Sequence, residues 1–290
     1  MSAFNEILFK SADGLQLYAR DYPARIGAAK CPVICIHGLT RNSADFEELA
    51  PWIASLGRRV LAVDVRGRGR SAYDANPNQY KTAVYAGDIQ QLARQLGIER
   101  AVFIGTSMGG LITMAVAMIN LKLIAAAVLN DVGPVLSKTG LSRIAGYTGK
   151  TTTFFEWEDA VAHVANINQT AFPSYTKEDW EKWAHRAFNQ NLTGEWVLKY
   201  DPQIALSVRG NRQKSSSWMA KFAFRRLARR KPTMLIRGKI SDLIEPEQAN
   251  YMRKIAPAMR YVEVQNVGHA PMLMEQESMR ALRQFLEDVD

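Results

Sequence analysis

The stretch Gly105-Thr106-Ser107-Met108-Gly109 decides the fold of this chain. This G-x-S-x-G pentapeptide follows the apolar run 101–104, which is typical of a buried strand, and it opens a helix-like run that ends near Asn120. The pattern places the serine at a sharp turn between strand and helix, with its hydroxyl held out at the end of a sheet. The glycines allow the unusual dihedral angles and the close backbone approach that such a turn needs. The unpaired N–H groups at the helix start would favour negative charge beside the hydroxyl.

Strand-like and helix-like runs alternate on both sides of this turn. Two short strand patterns flank Asp13-Gly14, which is a hairpin signal. Further strands are predicted at 32–36, 59–63, 101–104, 124–129, 232–238 and 259–264, and helices at about 43–56 and 82–96. This alternation predicts an α/β fold with a mostly parallel central sheet of about eight strands and helices on both faces.

The alternation stops between about residues 134 and 214. This segment lacks clear buried strands and is rich in Trp, Tyr, Asn and Thr. We therefore expect residues 134–214 to form an inserted helical lid, and residues 1–133 and 215–290 to form the core domain. Such a lid would enclose a substrate and exclude water. We expect His163 and His185, which fall in this segment, to pack within the lid or to face solvent.

A nucleophilic serine needs a base, and the base needs an acid that orients it. His269 falls in a predicted loop between the strand at 259–264 and the last helix, where an imidazole can reach a neighbouring strand end. Two acids are candidates, because Asp242 follows the strand at 232–238 and Asp131 follows the strand at 124–129. Both lie at carboxyl ends of predicted parallel strands, where open α/β sheets place their chemistry. We predict that Asp242 is the acid, with Asp131 as the alternative.

Four sequence blocks together make the chain resemble the lid-bearing branch of the α/β-hydrolase-fold enzymes. The blocks are Ile36-His37-Gly38-Leu39, Asp64-Val65-Arg66-Gly67-Arg68-Gly69-Arg70-Ser71, the turn at Ser107, and residues 237–242 together with Gly268-His269-Ala270-Pro271. The resemblance covers nearly the whole chain. It is highly specific for the fold and poorly specific for the substrate.

The resemblance implies a role for each of these blocks. The family order of serine, acid and histidine corresponds to Ser107, Asp242 and His269 as catalytic residues. The backbone N–H groups of Leu39 and Met108 would form the oxyanion hole. His37 would brace the loop that carries Leu39, and the block from Asp64 to Ser71 would be a structural turn.

The predicted function is hydrolysis of a small-molecule ester, lactone or related carbonyl compound through an acyl-enzyme, with no metal and no cofactor. Within the family, epoxide and haloalkane hydrolases use an aspartate at the turn, and this chain has Ser107. Meta-cleavage carbon–carbon hydrolases often carry an aromatic residue after the histidine, where this chain has Ala270. That branch and a cofactor-free haloperoxidase or perhydrolase remain alternatives. A non-catalytic small-molecule receptor also remains, because such receptors can retain all three side chains.

Composition fits a globular enzyme, with 290 residues of which 47% are hydrophobic. The net charge of +9 includes a cluster at 221–231, which predicts an amphipathic helix with a solvated basic face. A nucleic-acid or acidic partner would rest on charge alone, so we predict a small-molecule substrate and neither a nucleic-acid nor a membrane partner. The oligomeric state is left open.

The cysteines and the apolar stretches indicate a cytoplasmic protein. Cys31 and Cys35 fall on one predicted strand, about 13 Å apart and thus beyond the ~7 Å limit for a disulfide, so we expect two buried thiols. No start resembling a signal peptide is present, and the apolar runs are too short to span a membrane.

Overall fold

The computed structural model describes residues 4–25, 30–150, 152–206 and 218–289. Its strands are β1 (Asn5–Lys10), β2 (Gln16–Tyr22), β3 (Val33–Ile36), β4 (Val60–Asp64), β5 (Ala101–Thr106), β6 (Ile124–Asn130), β7 (Thr153–Phe154), β8 (Phe188–Gln190), β9 (Trp196–Leu198), β10 (Thr233–Gly238) and β11 (Arg260–Val264). Its α-helices are α1 (Leu49–Ser55), α2 (Thr82–Gln95), α3 (Met108–Ile119), α4 (Lys138–Tyr147), α5 (Trp157–Asn168), α6 (Lys177–Ala187), α7 (Trp218–Arg230), α8 (Pro246–Ile255) and α9 (Gln276–Glu287).

Eight strands form one sheet in the order β1-β2-β4-β3-β5-β6-β10-β11. β1 and β2 pair antiparallel across the predicted turn at Asp13-Gly14, and β2 also pairs antiparallel with β4. From β4 to β11 the neighbouring strands are parallel. The predicted α/β fold with a mostly parallel sheet of about eight strands is therefore confirmed.

Apolar side chains fill both faces of the sheet. On β3, for example, Ile34 and Ile36 join one buried cluster, while Val33 and Cys35 join the other. Helices α2, α3, α7 and α8 contribute to the first cluster, and α1, α5, α6 and α9 contribute to the second. The central strands read as continuous apolar runs because neither of their faces meets water.

The segment between β6 and α7 lies outside the main sheet. It contains α4, α5 and α6, and also a small antiparallel sheet in the order β7-β9-β8. The sequence did not predict this small sheet, because its strands are only two or three residues long and show no alternation. The predicted boundary between residues 214 and 215 falls outside the described residues.

Three contacts attach the C-terminal part of this inserted segment to the core. The Gly69 N–H donates to Lys199 O at 2.7 Å, and the Asp201 N–H donates to Gly67 O at 2.8 Å. The Tyr80 hydroxyl donates to Asp201 Oδ2 at 2.5 Å. The turn that follows β4 and the nearby Tyr80 therefore form one attachment point for the insertion.

The basic cluster forms the predicted amphipathic helix, α7. Ala223, Phe224, Leu227 and Ala228 are buried against the core, and the arginines between them are exposed. Within the four described ranges, no helix combines the length and the apolar character needed to cross a membrane. Cys35 is buried as predicted, whereas Cys31 is partly exposed, and no disulfide joins the two described cysteines.

Candidate active site

Ser107 lies at the tight turn between β5 and α3, as the sequence predicts. Its backbone has φ 52° and ψ −115°, a conformation that residues other than glycine rarely adopt. The flanking glycines allow the two chain segments to approach closely. A Cβ on Gly105 would lie 2.5 Å from the Gly109 carbonyl, and one on Gly109 would lie 2.0 Å from Ile36 O. The turn thus depends on the absence of side chains at both glycines.

We expect Gly109→Ala to destabilise the fold by roughly 3 kcal/mol or more, because its methyl group would overlap a carbonyl oxygen that β3 holds fixed. Gly87→Ala is the matched control, since a Cβ there meets nothing within 4 Å in the interior of α2. That control should be neutral or stabilising by up to about 1 kcal/mol. Chemical denaturation of both variants measures the difference. An equal midpoint for Gly109→Ala and the wild type would contradict the close approach.

Ser107, His269 and Asp131 form a continuous chain of hydrogen bonds. Ser107 Oγ lies 2.9 Å from His269 Nε2, and His269 Nδ1 lies 2.7 Å from Asp131 Oδ2. Because an ionised carboxylate can only accept, the ring proton lies on Nδ1 and donates to Asp131. Nε2 is then free to accept the serine proton. This arrangement is the one that a serine nucleophile needs before attack.

The structure also holds the Asp131 carboxylate in place from the β10 side. Asp131 follows β6 directly and is completely buried. The Gly238 N–H donates to its Oδ1 at 3.1 Å, and the Ser241 hydroxyl donates to its Oδ2 at 2.5 Å. These two donors fix the orientation of the carboxylate that contacts the imidazole.

The predicted pairing of Asp242 with His269 is wrong. The loop after β10 directs Ser241, and not Asp242, toward Asp131. The Asp242 carboxylate instead accepts hydrogen bonds from Nε and Nη2 of Arg143 in α4, at 2.5 and 2.8 Å. Burial alone would raise the pKa of Asp242, but the Arg143 guanidinium outweighs it and lowers the pKa. Asp242 therefore joins the core to the inserted segment. The alternative acid, Asp131, contacts His269.

His37 braces the loop that carries Leu39, as predicted. The Val65 N–H donates to His37 Nε2 at 3.0 Å, so the ring proton lies on Nδ1 and donates to Gly38 O at 2.7 Å. Complete burial lowers the pKa of His37 to about 4, and the ring is neutral at pH 7. The His37 imidazole thus joins the Gly38 backbone to Val65, the first residue after β4.

Arg68 supports the same loop from the other side. Its Nε donates to Leu39 O at 2.9 Å, and its Nη1 donates to the Tyr85 hydroxyl at 2.9 Å. Asp64 organises the turn itself by accepting from the backbone N–H groups of Ser43 and Arg70 at 2.6 and 2.8 Å. The side chains of the Asp64–Ser71 block thus hold the turn and the Leu39 loop together. Leu39 directly follows Gly38, where a Cβ would lie 3.8 Å from Ser107 Cβ, and Met108 directly follows Ser107. The backbone N–H groups of Leu39 and Met108 are therefore the candidates for the oxyanion hole.

A pocket opens above Ser107 and His269, and the inserted segment supplies much of its wall. From the core it is lined by Gly38, Leu39 and Arg41, and from the insertion by Tyr147, Lys150 and His163, among others. Burial lowers the pKa of His163, whose ring packs against Phe154 at 5.2 Å. His163 and the exposed His185, which stacks on Trp157 at 4.3 Å, do not join the relay.

Sequence reasoning missed two other residues at the site. Asn130 donates to Thr106 Oγ1 at 3.0 Å and to Pro271 O at 2.7 Å, so it joins the serine loop to the histidine loop. Arg41 stacks over Trp183 at 4.3 Å beside the pocket. Both contacts join segments far apart in the chain, and no local pattern announces them. Among the residues that the structure describes, no group of three or more His, Cys, Asp or Glu could hold a metal ion.

The sequence profile of the alpha/beta hydrolase fold matches residues 32–275. The chain belongs to the α/β-hydrolase family. Among curated members, it is 33% identical over 258 residues to a 3-hydroxybutyrate-oligomer hydrolase from Cupriavidus necator, covering 87% of each chain. It is 26% identical to a 2-(acetamidomethylene)succinate hydrolase from Mesorhizobium japonicum, covering 88% of this chain and 87% of that one.

A solved α/β-hydrolase from Novosphingobium aromaticivorans superimposes with a TM-score of 0.90 at 37% identity, covering 99% of each chain. The fold and the hydrolase class are therefore shared with relatives over nearly the full length. The names of these α/β-hydrolases cover several substrates, so the family alone leaves the substrate open.

Proposed function

We propose that this α/β-hydrolase is a serine esterase that hydrolyses short linear esters of hydroxy acids through an acyl-enzyme. The observation that carries the proposal is the relay from Ser107 through His269 to Asp131, with distances of 2.9 and 2.7 Å. The serine and histidine ends of this relay both line the same pocket.

In the first step, Ser107 Oγ attacks the ester carbonyl carbon while its proton passes to His269 Nε2. Asp131 stabilises the imidazolium that results. The N–H groups of Leu39 and Met108 bind the oxyanion of the tetrahedral intermediate. His269 then gives its proton to the leaving alkoxide, which departs as an alcohol. In the second step, His269 Nε2 accepts a proton from water as the water oxygen attacks the acyl carbonyl carbon. The bond between the acyl carbon and Ser107 Oγ then breaks, His269 returns the proton to Ser107 Oγ, and the free acid leaves.

The relative from Cupriavidus necator supports a hydroxy-acid ester as the substrate class. It covers 87% of this chain at 33% identity, which spans both the sheet and the insertion that walls the pocket. An oligomer of 3-hydroxybutyrate consists of ester bonds between hydroxy acids, and each ester offers the carbonyl that a serine nucleophile attacks.

We further propose that the inserted segment acts as a lid. Three of its residues line the pocket: Tyr147 from α4, Lys150 from the turn after α4, and His163 from α5. The Arg143–Asp242 ion pair and the contacts of residues 199–201 with the core fix two ends of this segment. An enclosed pocket would exclude bulk water during acylation.

The test is multiple-turnover hydrolysis of three substrates by the purified protein: the linear 3-hydroxybutyrate dimer, a simple γ-lactone and a diacylglycerol. We expect the dimer to give the highest kcat/KM. A protein that binds these compounds and releases no product over many equivalents would be a receptor. That outcome, or a preference for the lactone or diacylglycerol by tenfold or more, would contradict the proposal.

A further inference from the structure

The side chains that line the pocket carry more positive than negative charge. The ionisable side chains that line it include Arg41, Asp45, Lys150, His163 and His269. Asp45 is the carboxylate among them, and Arg41 neutralises it through contacts from Nε at 2.8 Å and Nη2 at 2.5 Å. The pocket wall therefore retains positive charge.

Lys150 is the source of that charge. Within the described part of the chain, no carboxylate lies within ion-pair distance of its ammonium group, whereas Arg41 is held by Asp45 and by the Trp183 ring. Burial lowers the pKa of His163 and favours its neutral form. Because Lys150 is exposed and still lines the pocket, it lies where the pocket meets solvent.

The backbone before Lys150 is well anchored. The Thr148 N–H and hydroxyl both donate to Ile144 O, at 3.1 and 2.7 Å, and the Lys150 N–H donates to Tyr147 O at 3.3 Å. Gly149 has φ +75° and packs so closely on Ala205 that a Cβ there would lie 2.3 Å from it. The lysine thus extends from a fixed turn, which reduces the entropy lost when its ammonium group binds an anion.

We infer that Lys150 forms an anion subsite at the pocket entrance that binds the free carboxylate of the substrate. This inference rests on the proposed hydrolysis of linear hydroxy-acid esters, because a linear oligomer of a hydroxy acid ends in one carboxylate. A carboxylate at Lys150 would receive charge-assisted hydrogen bonds and would orient the chain with its ester toward Ser107. The net charge of +9 would also attract such an anion from solution.

The experiment compares two substrates that differ only in charge, the linear 3-hydroxybutyrate dimer and its terminal primary amide. The readout is the ratio of kcat/KM for the acid to kcat/KM for the amide. We expect Lys150→Met to lower this ratio by about tenfold, mainly through KM for the acid. Lys150→Arg should keep most of it, and high salt should lower the wild-type ratio toward that of Lys150→Met.

Lys122→Met is the matched control. Lys122 is also exposed but precedes β6, at the end of the parallel strands opposite Ser107, so its substitution should leave the ratio unchanged. Hydrolysis of both substrates by Lys150→Met with the wild-type ratio would overturn the subsite and leave the esterase proposal intact. A wild type that turns over neither substrate would overturn both proposals.

Discussion

Ser107→Ala is expected to lower kcat for p-nitrophenyl acetate by about 10⁶-fold, since the substitution removes the oxygen that attacks the carbonyl. The hydroxyl is the only nucleophile in hydrogen-bond contact with His269 Nε2 among the described residues. The pocket itself should persist, because the serine side chain fills little of it. Residual activity should come from substrate binding and from the Leu39 and Met108 N–H groups.

Ser55→Ala controls for the general effect of a serine substitution, because Ser55 is exposed at the end of α1 and its hydroxyl donates to Trp52 O of the same helix. It should hydrolyse the ester at the wild-type rate. A Ser107→Ala protein that retains more than about a hundredth of wild-type turnover, after correction for background, would exclude Ser107 as the nucleophile.

Asp131→Asn and Asp242→Asn should differ sharply. We expect Asp131→Asn to lower kcat by about 10⁴-fold, because its amide can donate to Nδ1 and leave the ring proton on Nε2, where it blocks proton transfer from Ser107. Asp242→Asn removes a partly exposed ion pair, in which the Arg143 and Asp242 side chains are 32% and 29% exposed, and such pairs contribute at most about 1 kcal/mol. We therefore expect less than a tenfold loss for Asp242→Asn.

Measurement of kcat at saturating substrate and a single pH, with the wild type and both variants side by side, ranks the two substitutions directly. The reverse ranking of the two variants would mean that the family-based choice of Asp242 describes the working enzyme better than the geometry at His269 does.

Much of the fold could be predicted because its signals are local. The central strands are buried on both faces and appear as short apolar runs, and Gly105 and Gly109 mark the turn that a side chain would block. The small sheet of the insertion could not be predicted. Its strands of two or three residues gain stability from aromatic packing, such as Phe154 against Phe188 at 5.8 Å, and not from any alternation of their own.

The site shows where sequence reasoning stops. The sequence offered one candidate nucleophile, Ser107, and one candidate base, His269, but two acids followed predicted strands. Which of them reaches the imidazole depends on the turn after β10. In this turn two adjacent residues point in different directions, so that Ser241 contacts Asp131 and Asp242 contacts Arg143. That choice is made by contacts across more than 90 residues of chain, which a single sequence does not reveal.

Covalent labelling tests the central claim most directly, because it reports the attack step without any assumption about the natural substrate. The rate of fluorophosphonate adduct formation would be followed by mass spectrometry in the wild type, Asp131→Asn and Asp242→Asn. The relay predicts a single adduct on Ser107, formed orders of magnitude more slowly in Asp131→Asn and at nearly the wild-type rate in Asp242→Asn. An adduct on another residue, or fast labelling of Ser107 in Asp131→Asn, would contradict it.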